Sequence, residues 1–177
     1  MSRAWHPNPI QPGDPPSMEK IQFDDIAALQ KHISEEFGEF GEQFEITQDL
    51  INKFADATGD HQWIHLDVER CEKESPFGTT IAHGFLTLSL LPMMSGLAKN
   101  PYHVAGFANA VNYGSDKLRF LSPVPAGSKI HSHSRLVSAE AGKKGTRIEQ
   151  ETAIHVVGSD RPALIYSGIT LFQGKIG

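Results

Sequence analysis

Ile81-Ala82-His83-Gly84-Phe85-Leu86-Thr87-Leu88-Ser89-Leu90-Leu91-Pro92-Met93-Met94 is the heart of the most apolar segment of this 177-residue chain. From Thr80 to Ala98 the apolar side chains cover almost every side of a helix, and a helix apolar all round is buried all round. The segment is therefore expected to be a central core helix. Pro92 should kink it or end its first part, and Lys99-Asn100-Pro101 stops it. A membrane span fits poorly, because His83, Pro92, Thr87, Ser89 and Ser95 interrupt the run.

Working outward toward the N-terminus, Thr47 suits the N-cap of a second helix, with Asp49 in its first turn. Leu50, Ile51, Phe54 and Ala55 give that helix an apolar stripe, and Gly59 is placed to end it in the left-handed conformation. Asp60 then stands where the chain leaves the helix. From Asp60 to Thr79 no clean period shows, and Ser75-Pro76-Phe77-Gly78 reads as a turn. Glu42 to Ile46 fits a short strand. Asp24 to Phe37 reads as a helix on Ile26, Leu29, Ile33 and Phe37. Met1 to Pro16 is Pro-rich and is expected to be extended.

Toward the C-terminus the period changes. Val104–Tyr113, Lys117–Leu121, Ser128–Ala139, Thr146–Val157 and Ala163–Gln173 read as strands, with hairpin connections at 141–145 and 158–162. The layout is α+β, one sheet with a helix on one face. Two parts are expected: residues 1–37 as an arm and helix, and residues 38–177 as the main domain.

Composition excludes several classes. A formal charge of −5 with no long run of one sign argues against nucleic acid. Cys71 is the single cysteine, so no intrachain disulfide supports the fold. The N-terminus lacks the apolar core of a signal peptide, so a cytoplasmic location is expected.

The chemistry centres on Gly59-Asp60-His61-Gln62-Trp63-Ile64-His65 and on His83-Gly84. Asp60 and His65 are a carboxylate and an imidazole suited to moving protons near neutral pH. Gly84 stands at the mouth of the apolar helix, where amides lack helical partners and the dipole favours negative charge. A base, an acid and an oxyanion donor are what adding water across a thioester-conjugated double bond requires. His61 and His65 also have the i, i+4 spacing of helical metal ligands, with Asp60, Asp67 and His83 nearby, but Gly59 argues against helix there.

Two stretches taken together carry a family resemblance. Ala57-Thr58-Gly59-Asp60-His61-Gln62-Trp63-Ile64-His65-Leu66-Asp67, followed by Pro76-Phe77-Gly78-Thr79-Thr80-Ile81-Ala82-His83-Gly84-Phe85-Leu86-Thr87-Leu88-Ser89, closely resembles the MaoC-like dehydratases, which include (R)-specific enoyl-CoA hydratases. Gln62-Trp63 and the Ile81–Thr87 run are most similar to the nodulation protein N-type branch. Lys117-Leu118-Arg119-Phe120 with Pro123-Val124 and Gly127 looks like the family's next strand pair, and the likeness spans roughly residues 38–173.

The resemblance implies a hot-dog fold, a long helix wrapped by an antiparallel sheet, in a homodimer or higher assembly whose sheets join. It implies an acyl-CoA thioester substrate and no separate cofactor. It places the catalytic pair on Asp60 and His65 and the oxyanion amide on Gly84, with Gln62, Trp63, His83 and Phe85 in substrate binding and no metal. The family motif has Asn-Pro where this chain has Gln62-Trp63, which bears on loop geometry and acyl preference. A non-catalytic acyl-CoA-binding module and a thioesterase are the alternatives on the same fold. Lys143, Lys144 and Arg147 offer cations for phosphates, against their plain reading as a solvated hairpin.

Overall fold

The computed structural model describes residues 19–175; the Pro-rich stretch Met1–Pro16 lies outside them. Four long strands carry the C-terminal half: β4 (Phe107–Phe120), β5 (Lys129–Gly142), β6 (Gly145–Val156) and β7 (Leu164–Lys175). With the short β2 (Phe44–Glu45) they form one antiparallel sheet in the order β2-β5-β6-β7-β4. The two C-terminal hairpins form where turn residues were expected, with Gly142 opposite Gly145 across Lys143-Lys144.

β4 is one strand where the sequence suggested two. Its register against β7 shifts between Asn112 and Gly114 and between Ser115 and Lys117. Bulges at Tyr113 and Asp116 absorb the polar Gly114-Ser115-Asp116 run that had looked like a break. The real interruption lies earlier, at Gly106, whose φ of 79° turns the chain between β3 (Tyr102–Ala105) and β4. β3 pairs in parallel with β1 (Glu19–Gln22) as a separate two-stranded sheet.

The helix expected over Asp24–Phe37 forms only as α1 (Ile26–Gln30). Beyond it the backbone has another use. The amides of Ser34, Gly38 and Gly41 donate to the carbonyls of Leu136, Ser134 and Ser132, so this segment runs along the β5 edge and covers it. Helix periodicity lost to a sheet edge that needed hydrogen-bond partners.

α2 (Gln48–Thr58) follows its signals. Thr47 Oγ1 accepts from the Leu50 amide at 3.2 Å, and Gly59 ends the helix at φ 78°. The aperiodic stretch after it folds as two short helices, α3 (Trp63–Leu66) and α4 (Val68–Glu74).

The central apolar segment is also two helices, α5 (Gly84–Ser89) and α6 (Leu91–Gly96), with Pro92 in the first turn of the second. It is not buried all round, as the sequence suggested. Leu86, Thr87 and Met94 are buried, but Phe85 is 62% exposed, and Ser89 and Pro92 face solvent. One side of the central element is left open in the single chain.

Two hydrophobic clusters hold the layers together. The larger joins Ile46, Ile51, Leu86, Met94, Ile130, Ile154 and Leu164 between the helices and the sheet. The smaller joins Ile21, Leu29, Leu136, Ala139 and Ile148, with Phe172 and Tyr102 against it. The described part of the N-terminal region, residues 19–37, thus packs onto the far end of the sheet through Ile21 and Leu29.

Candidate active site

The site forms where α2 ends, α3 begins and α5 starts. Gly59 reverses the chain, so Asp60 emerges exposed beside the mouth of α5. Its Oδ1 accepts from the Gln62 amide at 3.4 Å, which limits the swing of the carboxylate. One turn of α3 then carries His65 inward, where it is 7% exposed.

His65 is held from several sides. Its Nδ1–H donates to the Ile81 carbonyl at 2.7 Å, so Nε2 is the atom left to accept or carry a proton. Gln48, at the first position of α2, donates from Nε2 to the His65 carbonyl at 2.7 Å. Thr80 Oγ1 donates to the other end of the same amide. Ile81 is itself fixed, its amide bonded to Ile64 and the Ala82 amide bonded to Val124. Burial pulls the His65 proton affinity below its ordinary value, the Ile81 bond works against that, and His83 adds to the lowering.

His83 is the N-cap of α5 and lies flat on His65, with ring centroids 3.8 Å apart and planes 26° apart. Its Nε2–H donates to the Asp60 backbone carbonyl at 2.9 Å. Its Nδ1 is buried and meets no partner among the described residues. Donor or acceptor atoms of Asp60, His65 and His83 all lie within 4.8 Å of one another. Residues 23 positions apart in sequence thus share one small volume.

That carboxylate and two imidazoles suggest a metal set. The stacked rings speak against it. Imidazole lone pairs lie in the ring plane, and two rings stacked at 3.8 Å aim them side by side rather than at one point. His61, the other half of the spacing-based metal reading, is exposed and paired with Asp56 at 3.0 Å instead. That pairing raises its proton affinity.

Gly84 is the first residue of α5, where an amide has no acceptor within the helix. A cavity of about 330 Å³ opens beside it, lined by His65, Gly84, Thr87, Phe120, Val124 and Leu164 among others. A Cβ on Gly84 would meet the Phe120 ring at 2.9 Å, so glycine is what lets strand β4 and the helix mouth approach this closely.

The remaining residues singled out for binding lie around the rim. Gln62 is exposed at the start of α3, and the Trp63 ring is half-buried with the Arg70 guanidinium 4.2 Å above it. Neither lines the cavity. Phe85 points outward and meets Phe120 edge-on at 5.5 Å. Lys143 and Lys144 cap the β5–β6 hairpin beyond Phe172, about 26 Å along β7 from Leu164 at ~3.3 Å per residue. Within one chain they are far from Gly84. Cys71 is buried against the Trp63 and Ile64 carbonyls, and burial pushes its thiol up, which suits packing rather than nucleophilic work.

Gln48 and the Ile81 carbonyl touch His65 and had no signal in the sequence, while Phe120 stood out only as part of a strand and not beside Gly84. A glutamine opening a helix looks like any other, and a carbonyl carries no residue-type signature.

Comparison with known proteins places the chain in a known group. The MaoC like domain matches residues 30–158. The chain is 45% identical over 151 residues to 3-hydroxyacyl-thioester dehydratase Z of Mycobacterium tuberculosis, covering 85% of this chain and 97% of that protein. It is 42% identical to Nodulation protein N of Rhizobium leguminosarum bv. viciae over 84% of this chain and 91% of the other. Among solved structures, the R-hydratase of Pseudomonas aeruginosa superimposes with a TM-score of 0.61 at 20% identity, over 79% of this chain and 83% of that one. The (R)-hydratase from A. caviae gives 0.60 at 22%, over 78% and 97%. At such identities those two structures speak for the hot-dog fold alone: an antiparallel sheet curled around central helices. On the domain match and the close relatives, the chain belongs to the MaoC-like dehydratase family.

Proposed function

We propose that the protein is a hydro-lyase that adds water to a trans-2-enoyl thioester, or removes it from the 3-hydroxyacyl thioester. Coenzyme A is the thiol carrier in this reading, and no separate cofactor takes part. The observation that carries it is an Asp60 carboxylate oxygen within 4.8 Å of a His65 ring nitrogen, with His65 and Gly84 both lining one largely apolar cavity. The dehydratase name of a relative 45% identical over nearly its whole length points the same way.

The chemistry follows from the geometry. The thioester oxygen takes the Gly84 N–H, at the positive end of α5, so negative charge that develops there is stabilised as it forms. A water between the Asp60 carboxylate and His65 Nε2 gives its hydroxyl to C3. The proton it gives up passes to the pair and is returned to C2. The C2=C3 π bond breaks, C3–O and C2–H bonds form, and the pair regains its starting state. His65 enters neutral, with Nδ1–H committed to Ile81 and Nε2 free to accept. Because the two groups share one proton, acid and base belong to the pair rather than to either residue. His83 holds the Asp60 main chain in place, Gln62 steadies its carboxylate, Trp63 shapes the turn, and Phe85 with Phe120 forms the rim.

The assembly we propose is a homodimer joined through β4. This 14-residue strand is the sheet's edge and is exposed along nearly its whole length. Val111, Tyr113, Phe120 and the neighbouring Phe85 stand on or beside it as exposed apolar groups. A second copy paired along that edge would satisfy the open backbone and cover the bare side of the central helices.

The test is loss of enoyl absorbance with crotonyl-CoA. Formation of the hydroxyacyl-CoA supports the reading. Binding without turnover favours an acyl-binding module, and release of free CoA favours a thioesterase.

A further inference from the structure

A second cavity of about 710 Å³ lies between helices and sheet, beside the first although the two share no lining residue. Gly84 and Thr87 line the first cavity, and Leu88, Leu91 and Met94 line the second. On β7 the first ends at Leu164 and the second begins at Tyr166, two residues on along the same face. A chain entering past Gly84 and running along α5 would reach it.

The lining of this second cavity is unusual for the inner face of a sheet. The face is apolar at one end, with Ile130, Ile154 and Leu164, and apolar again at the other, with Leu136, Ile148 and Phe172. Between the two clusters Ser132, Ser134, Gln150, Thr152, Tyr166 and Thr170 face the cavity. Gly168 has no side chain, and the Tyr166 ring occupies the room a Cβ would take. Gln150 Nε2 donates to Ser134 Oγ at 2.7 Å. Among the described residues no side-chain hydrogen bond engages the Ser132, Thr152 or Tyr166 hydroxyls, and none of the three oxygens is buried away from the cavity. Those oxygens are open to it rather than shut away, and can bond a group that enters it. A pocket for a plain alkyl chain would be lined by more residues like Leu91 and Met94.

We infer that this second cavity receives the distal part of the acyl group and selects chains that carry a hydrogen-bonding oxygen there, a hydroxyl or a keto group. This rests on the hydratase reading for the position of the thioester at Gly84, but its selectivity is measured without turnover.

The experiment compares saturated acyl-CoAs binding to the full-length protein by calorimetry: octanoyl- and dodecanoyl-CoA against their ω-hydroxy counterparts. We expect at least one hydroxylated chain to bind about tenfold more tightly than its plain match, the scale of one or two added hydrogen bonds. Gln150→Leu and the near-isosteric Thr152→Val should each narrow that ratio, and Ser132→Ala gives a third variant that keeps the core volume. Equal or weaker binding of the hydroxylated chain at both lengths overturns the inference, and the polar lining then serves only water. Crotonyl-CoA hydration is run beside it. A hydroxyl preference without hydration would keep the inference and sink the hydratase reading; hydration with no preference would do the reverse. No binding of any acyl-CoA would sink both.

Discussion

The molecule packs histidines in two places, and they are not equivalent. On the outer face of the sheet, His131 and His133 stack on Phe40 at 3.9 and 4.1 Å, His133 also on Phe37, with His155 edge-on to Phe40. At the helix mouth, His65 stacks on His83. Burial lowers the proton affinity of His65, His131 and His133 alike, so depressed basicity does not distinguish them. What differs is orientation. His65 has one nitrogen tied to a carbonyl, the other free, a carboxylate within 4.8 Å and a cavity in front of it. The outer group has phenyl rings in front of it. A perturbed histidine becomes a candidate for catalysis only when its free nitrogen has somewhere to send a proton.

The largest expected effect breaks that comparison at the inner group. Asp60→Asn and His65→Ala should each lower kcat/KM for crotonyl-CoA by about a hundredfold or more, the usual scale for a general acid or base. The far-ultraviolet spectrum should stay unchanged. His133→Phe, at the outer group, should keep kcat/KM within about twofold. Near-normal turnover in Asp60→Asn or His65→Ala would remove the catalytic assignment.

Next comes Gly84→Ala. Its new methyl would sit 2.9 Å from the Phe120 ring, so either the ring or the helix mouth must move. A rate loss of about tenfold or more is expected, since displacing one oxyanion donor costs on the order of a hundredfold at full effect. Adding Phe120→Leu should recover part of it by relieving the crowding. No recovery in the double variant would place the damage elsewhere than at that contact.

The pH dependence separates the two groups more finely. His65 works neutral, and its folded pKa lies below the ordinary 6.5. The acid limb of kcat/KM should therefore fall at a pH below 6.5, about tenfold per unit. Stability moves from the same cause. An unfolded histidine takes up a proton near 6.5, while His65, His131 and His133 resist it when folded. Their contribution is complete above about 6.5 and is lost as pH falls toward their folded values. His133→Phe should flatten the stability loss on acidification without shifting the acid limb of kcat/KM. Melting temperatures and rates over one pH series test both, and a rate profile that moved with His133→Phe would undo the separation.

The smallest effect concerns the polar support of the outer face. Glu151 is nearly buried and receives Lys117 at 3.2 Å and Arg135 at 3.0 Å. Burial works against its charge, but those two cations hold its carboxyl below the usual range. Glu151→Gln should cost on the order of 1 kcal/mol, because the cations are themselves partly solvated. Chemical denaturation measures it, and a cost several times larger would mean a tighter network than these distances describe.

By itself the sequence determined the class of fold, the α2 helix with both caps, the hairpins, and the two short motifs that supply the carboxylate, the imidazoles and the glycine amide. Those are local properties: periodicity, capping and turn chemistry act over a few residues, and residue type fixes which protons are available. Tertiary structure alone decided three things. It broke the apolar run at Leu90 and left Phe85 bare, because Pro92 and an open sheet edge outweigh a uniform apolar pattern. It spent residues 33–41 on the β5 edge, because unpaired strand amides and carbonyls need partners wherever these come from. And it stacked His83 on His65 and tied it to the Asp60 carbonyl, a meeting of residues from three elements that no spacing along the chain encodes.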